Sequence, residues 1–370
     1  MSEWCNPVIY NIEDMKALRF HGIKDLRVEE VEVPKACGPH QVLVKNSFCG
    51  ICGTDLHEYL HGPIQIPQKP HPFSKAVLPL ILGHEFSGVV LETGDEVQNV
   101  RAGDRVSIQP NVIPGGDYYD RRGWSHLSDN LAVVGLSYPW GGMAERCLVY
   151  DYNVAKLPPE VSDEQGAMIE PAAVAVNAIE HGDLRAGDTI LITGGGPIGA
   201  LVALAASAAG AAKIFLSEPN KVRRELLNSW KVCTGIYDPL SQDVAAIVKE
   251  QTESGVGVDV AIECVGNERA LATCMDSVRR RGTVVQVGLP TRPAAIDLHK
   301  LVTKDITYCG SWAYKNTAWP RVISMVASGK LPVEKAITGN VKLDDAVEQG
   351  FNALTDANSA HIKILVQAPS

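Results

Sequence analysis

A thiol, an imidazole and acidic side chains recur in this chain at spacings that suit a metal. The segment FCGICGTDLHEY sets Cys49, Cys52, Thr54, Asp55 and His57 close together just after a strand. LGHEFSG places His84 and Glu85 at the start of another strand, and MIEPAAVAVNA supplies Glu170 directly before Pro171. Cys, His and carboxylate are the ligand types of Zn²⁺, and a catalytic zinc keeps one position open for water or substrate. Cys49-x-x-Cys52 alone would suggest a zinc ribbon, yet no second C-x-x-C follows it. Each residue also has a plainer reading, as a buried thiol, a core histidine or an acid at a helix start. Their joint appearance upstream of a nucleotide-binding pattern points to a metal centre.

That pattern is GGGPIG. Gly194, Gly196 and Gly199 fit G-x-G-x-x-G between a strand and a helix. The first glycine permits the tight turn, the second lets backbone approach a pyrophosphate, and the third lets helix and strand pack closely. The helix start adds free N–H groups and positive potential for the phosphates. Glu218 ends the next strand, 19 residues past Gly199, where a carboxylate would hold the ribose hydroxyls and repel the 2′-phosphate of NADP. The plainer reading makes it a solvated loop acid. Arg223 lies nearby and is a residue type that accepts phosphate, so it opposes Glu218. The balance predicts NAD rather than NADP.

These residues need elements to hold them. At 370 residues the chain suits two domains. With 45% hydrophobic and 21% charged residues it is neither disordered nor, with 9 Cys, a disulfide scaffold. The net charge of −9, without basic clusters, speaks against nucleic acid and anionic membranes as partners. No apolar run reaches the roughly 20 residues of a membrane helix, and the acidic start MSEWCNPVIYNIEDMK does not read as a signal peptide. Scattered thiols in odd number suit a reducing, cytoplasmic setting. The first 160 or so residues read as short strands and turns, among them VEEVEVP, QVLVKNSFCG, FSGVVLETGD and DRVSIQP. From about residue 165, strands and helices alternate through DTILITGGGPIGALVALAASAAG, KIFLSEP, NKVRRELLNSWK, DVAIECVG, a helix near 268–280, TVVQVGLP and ITYCGSW. Such alternation predicts an α/β fold with a doubly wound parallel sheet. The last strand, HIKILVQAP, is surplus to that sheet and is expected to return to the first domain.

Taken together, FCGICGTDLHEYLHGP, GHEFSGVV, AGDRV at 102–106, EPAAVA, GGGPIG and HIKILV resemble the zinc-dependent medium-chain dehydrogenases/reductases, in order from about residue 16 to 366. HEYLHGPIQIPQKPHP narrows the resemblance to the 2,3-butanediol (acetoin) branch, beside polyol relatives of the sorbitol dehydrogenase type. The resemblance implies a GroES-like β-rich catalytic domain at 1–165, completed by 313–370, and an inserted Rossmann domain at 166–312. It implies Cys52 rather than Cys49, His84 and Glu170 as zinc ligands, with Glu85 beside the metal and able to replace its water. Asp55 would orient the ligand histidine, Thr54 would hydrogen-bond the substrate alcohol, and His57 would form the outer end of a proton relay. Pro197, Ile198, Val265 and Gly288 would join the cofactor site. Many relatives carry a lobe of four cysteines for a second, structural zinc. The corresponding PNVIPGGDYYDRRGWSHLSDNLAVVG has His126, Asp117, Asp120 and Asp129 but no thiol, so one zinc per chain is expected. The implied activity is hydride transfer between NAD(H) and a secondary alcohol or ketone, by a homo-oligomer, dimer or tetramer. Tyr59, Ile81, Trp140 and Trp312 are expected in the substrate wall. Polyol, threonine-type and specialised-metabolite dehydrogenases stay open on the same site. A zinc-free quinone or enoyl reductase would lack the Cys52/His84/Glu170 set, and a silent NAD-binding protein would not need Thr54 and His57.

Overall fold

Gln41–Gly50, with Val42, Leu43 and Val44 all buried, is the strand on which the first half is built. The computed structural model describes residues 14–34, 37–356 and 358–369; the acidic start read as lacking a signal peptide falls, up to residue 13, outside the described residues. Gln41–Gly50 pairs antiparallel with Glu85–Thr93 and Arg146–Tyr150. Glu85–Thr93 continues to Arg105–Ile108 and Val154–Lys156. The free side of Gln41–Gly50 takes Lys363–Gln367, antiparallel, which in turn pairs parallel with Ile337–Lys342. One seven-stranded sheet is thus made from the two ends of the chain. A small sheet of Asp25–Glu32, Asp14–Gly22 and Leu80–Ile81 lies beside it.

The second half forms a six-stranded sheet in the order Gly235–Tyr237, Lys213–Ser217, Thr189–Thr193, Val258–Glu263, Val278–Gln286, Thr307–Gly310. All its pairings are parallel. The order reverses beside Thr189–Thr193, and in such sheets ligands bind at that switch point, outside the carboxyl ends of the strands. Helix Pro197–Ala208 starts there, and its small residues Gly199–Ala206 are all buried. A helix apolar all round must be covered on every side; here it packs against the buried helix Ile169–His181.

One element differs from expectation. The helix near 268–280 stops at Ser277, and the strand Val278–Gln286 begins at once. Val278 is β-branched and fully buried opposite Val258, so sheet pairing captures it before another helical turn forms. No helix among the described residues is long and apolar enough to cross a membrane.

Candidate active site

The metal-ligand types converge where Gln41–Gly50 gives way to helix Gly53–His61. Cys52 caps that helix, and Asp55 in its first turn accepts the Cys52 backbone N–H at 2.9 Å through Oδ2. The other oxygen of the fully buried Asp55 faces His84 Nδ1 across 3.5 Å, which leaves Nε2 for a metal. Glu85 follows as the first residue of its strand, opposite Gly50 in the register. A Cβ at position 50 would strike the Glu85 carboxylate, so glycine there makes room for it. Cys52 Sγ, a His84 ring nitrogen and a Glu85 oxygen all lie within 4.8 Å of one another.

Glu85 Oε1 is buried without a hydrogen-bond partner, as are His84 Nδ1 and Asp55 Oδ1. Buried polar atoms are nearly always satisfied, so the Glu85 oxygen marks a missing partner. Burial works against a charged His84, but Asp55 and Cys52 outweigh it and hold the imidazolium well above its ordinary pKa. Three ligand-type groups, Cys52, His84 and Glu85, gathered in one place suit a divalent cation, which would take that proton's place. The donor set fits zinc.

Glu170 lies outside the triplet but lines the same cavity, near the start of helix Ile169–His181. Its Oε1 accepts a 2.8 Å bond from Tyr314 Oη. Burial, with Glu85 adding and His84 opposing, pushes its pKa up to about 7. Cys49 points elsewhere: a Cβ on Gly83 would sit 2.6 Å from its sulfur, and burial drives its thiol pKa well up. Neither property suits a ligand.

Thr54 and His57 open onto the same cavity, of about 310 Å³. Thr54 Oγ1 is 3.7 Å from Cys52 Sγ. His57 is half-buried, and burial, reinforced by His61, lowers its pKa below the ordinary 6.5. The expected substrate wall is corrected in part. Trp312 lines the cavity, whereas Tyr59, Ile81 and Trp140 do not. Tyr59 stacks edge-on against Phe351 and donates to Asn352 Oδ1, and Ile81 and Trp140 pack beside Met15 and Ala144. Beside Trp312, the cavity is lined by Asn111, Leu131, Val133, Leu136 and Ser311.

Gly196, Pro197, Ile198, Val265 and Gly288 line the far side of that cavity. Gly194 sits at φ +95° and donates its N–H to the Ser217 carbonyl, tying the turn to the next strand. A Cβ on Gly199 would run into the Gly194 carbonyl, whereas nothing lies near the corresponding point on Gly196 at the helix start. Contact is thus tight where helix meets strand and open where a phosphate would lie. The buried Glu218 accepts Gly195 N–H at 2.6 Å and Asn220 N–H at 2.8 Å. Arg223 turns away, its Nε donating to the His361 carbonyl at 3.1 Å.

Glu263, which sequence reasoning missed, accepts the N–H groups of Val265 and Gly266 and so shapes the loop bearing Val265. Its signal was an acid closing the apolar run VDVAIE, as Glu218 closes KIFLS. Lys363 was also missed. Its buried ammonium reaches this site from the last strand, donating to Glu85 Oε2 at 2.5 Å and the Ile51 carbonyl at 2.9 Å.

A ligand cluster set across one cavity from the nucleotide turn of a doubly wound sheet defines a zinc- and nicotinamide-dependent alcohol dehydrogenase. Residues 38–159 match the alcohol dehydrogenase GroES-like domain, and 197–328 match the zinc-binding dehydrogenase family. The chain is 40% identical to (R,R)-butanediol dehydrogenase of Bacillus subtilis (strain 168), over 95% of this chain and 99% of that one. The crystal structure of 2R,3R-butanediol dehydrogenase from Bacillus subtilis superposes with a TM-score of 0.88 at 39% identity, covering 96% of this chain and all of the other. A Sinorhizobium meliloti 1021 protein solved bound to NADP gives 0.86 at 30% identity, covering 96% and 99%. The chain belongs to the zinc-dependent alcohol dehydrogenase family.

Proposed function

We propose that this enzyme exchanges a hydride between NAD(H) and a vicinal diol or hydroxyketone, of which 2,3-butanediol and acetoin are the models. The observation that carries the reading is the cavity onto which the Cys52–His84–Glu85 cluster, Thr54 and His57, the helix start at Ile198 and the loop at Val265 all open. The substrate class is supported by the butanediol dehydrogenases to which the chain is similar. A panel of acetoin, 2,3-butanediol, sorbitol, xylitol and threonine tests it. The diol and acetoin should give the highest kcat/KM, and a polyol exceeding both would overturn the substrate class.

Cys52, His84 and Glu170 would hold zinc, with Glu85 beside it. When bound, the metal supplies Lewis acidity to the alcohol or carbonyl oxygen and the nicotinamide supplies the hydride acceptor. Asp55 fixes the ring orientation of His84. Thr54, in the first turn of the helix that Cys52 caps, accepts the alcohol proton in step with passing its own outward. His57, kept neutral by partial burial, takes that proton to solvent. The boundaries proposed are a catalytic unit of 1–165 with 313–370 and a cofactor unit of 166–312, supported by the strand Lys363–Gln367 in the first unit's sheet.

Glu218 supports NAD over NADP. Its carboxylate beside Gly195 would meet a 2′-phosphate with like charge, while Arg223 is engaged at His361. Charge-assisted hydrogen bonds are worth roughly 1.5–3 kcal/mol, so kcat/KM should favour NAD by at least about tenfold. Glu218→Ser should narrow that gap and leave zinc content unchanged; equal efficiencies in the wild type would give the choice to Arg223 and its neighbours. A reducing compartment such as the cytoplasm is supported by eight free cysteines among the described residues. Assembly as a dimer or tetramer, checked by light scattering, is supported by the exposed edge strand Thr307–Gly310.

A further inference from the structure

Two carboxylates face one metal centre. With Cys52 and His84 fixed, either Glu85 or Glu170 completes the three protein ligands of a catalytic zinc, but both together would close its open position. Each has one oxygen tethered by a buried donor, and the tethers differ in charge. Glu170 is held by a neutral phenol, Tyr314, at 2.8 Å. Glu85 is held by an ammonium, Lys363, at 2.5 Å, with side chains 0% and 1% exposed. We propose that Lys363 is a positioning residue that restrains Glu85 from closing the metal's open position and so reserves that position for substrate.

Lys363 is anchored independently of its partner. Its strand is paired along Gln41–Gly50, and its Nζ also donates to the carbonyl of Ile51, one residue before Cys52. The ammonium therefore stays put whether or not Glu85 moves. A lysine is almost never buried unpaired, and here it stands alone in the apolar run HIKILV. Its charge cancels that of Glu85 at close range, reducing the pull of that carboxylate on a divalent ion. A phenol orients Glu170 without cancelling its charge. A Glu85 oxygen nevertheless lies in the ligand cluster, and its Oε1 is buried without a hydrogen-bond partner, so the tether to Lys363 stands against ligation.

Removing the ammonium leaves a buried carboxylate uncompensated, a costly state. The remaining cation within reach is the metal. The inference rests on the zinc reading above, and its test separates the two. In Lys363→Met, zinc should be held at least about tenfold more tightly in chelator competition while kcat falls at least about tenfold, the range in which partners of metal ligands act. A merely structural defect would loosen the metal. In the Co²⁺-substituted variant, the visible spectrum should no longer respond to added imidazole, because the position it would take is filled. Lys363→Arg should restore both properties, and adding Glu85→Gln to Lys363→Met should return zinc affinity to near the wild-type value.

Should Lys363→Met not fold, Glu85→Gln alone decides the matter. With Lys363 restraining it, Glu85 contributes little to binding, so zinc affinity should change less than about threefold. A loss beyond tenfold there, or zinc held no more tightly in Lys363→Met, overturns the role of Lys363. Wild-type protein that retains no zinc overturns the metal reading itself.

Discussion

Cys52→Ser protein should fold, yet bind zinc more than about a hundredfold more weakly than the wild type and show no measurable turnover. Partners that merely orient metal ligands cost about 10–100-fold when removed, and a ligand itself should cost more. Cys49→Ser is the control. Its sulfur is buried against Gly83, outside the ligand cluster, so metal and activity should both survive. Elemental analysis of chelator-washed, zinc-reconstituted protein should give one ion per wild-type chain. In the cysteine-free lobe, the acids serve the loop itself: Asp120 accepts Gly116 N–H and the Ser125 hydroxyl, and Asp117 accepts Asp120 N–H. Two tightly held ions would assign that lobe a metal after all, and loss of zinc from Cys49→Ser with retention in Cys52→Ser would reverse the choice of thiol.

Thr54→Val should lose at least a hundredfold in kcat with zinc still bound. Valine keeps the size of threonine but deletes the hydroxyl nearest Cys52, and positioned proton transfer contributes roughly 10²–10⁴-fold. His57→Ala should cost less, because water can replace the outer end of a relay, and imidazole buffer or higher pH should recover part of the loss. The sign of the pH effect follows from burial. His57 must be neutral to accept a proton, and its pKa lies below 6.5, so wild-type alcohol oxidation should hold at neutral pH and decline as pH falls through that depressed value. In His57→Ala that decline should vanish or move. Full activity in zinc-loaded Thr54→Val would send the proton by another route, with Glu85 first to be examined.

What could be read without coordinates was chemistry confined to short segments. Cys52, Thr54, Asp55 and His57 sit on one turn and one helix, so their spacing alone predicts a shared site. The glycine turn is similarly local, since Gly199 packs on Gly194 five positions away. Lys363 and Tyr314 had no such signature. Their partners Glu85 and Glu170 lie 278 and 144 positions distant, and only the tertiary fold joins them. A lysine flanked by Ile362 and Ile364 was the one available hint, because charge inside an apolar strand asks for a partner. The substrate wall was the least legible part. Tyr59 and Trp140 look like pocket residues by size, but both pack against the core, whereas the cavity takes Asn111 and Val133 from a pair of two-residue strands and Leu131 and Leu136 from beside them, too short a stretch to show a period.

The seam between Gln41–Gly50 and Lys363–Gln367 bears on how the protein comes into being. Its closure pairs Gln367 with Phe48, 319 positions earlier, with the entire cofactor-binding sheet in between. Contacts of such separation form late and slowly. Until they form, Glu85 lacks its counter-charge, even though Cys52 and His84 belong to segments already synthesised. A metal centre with its full set of charges therefore has to wait for this seam to close.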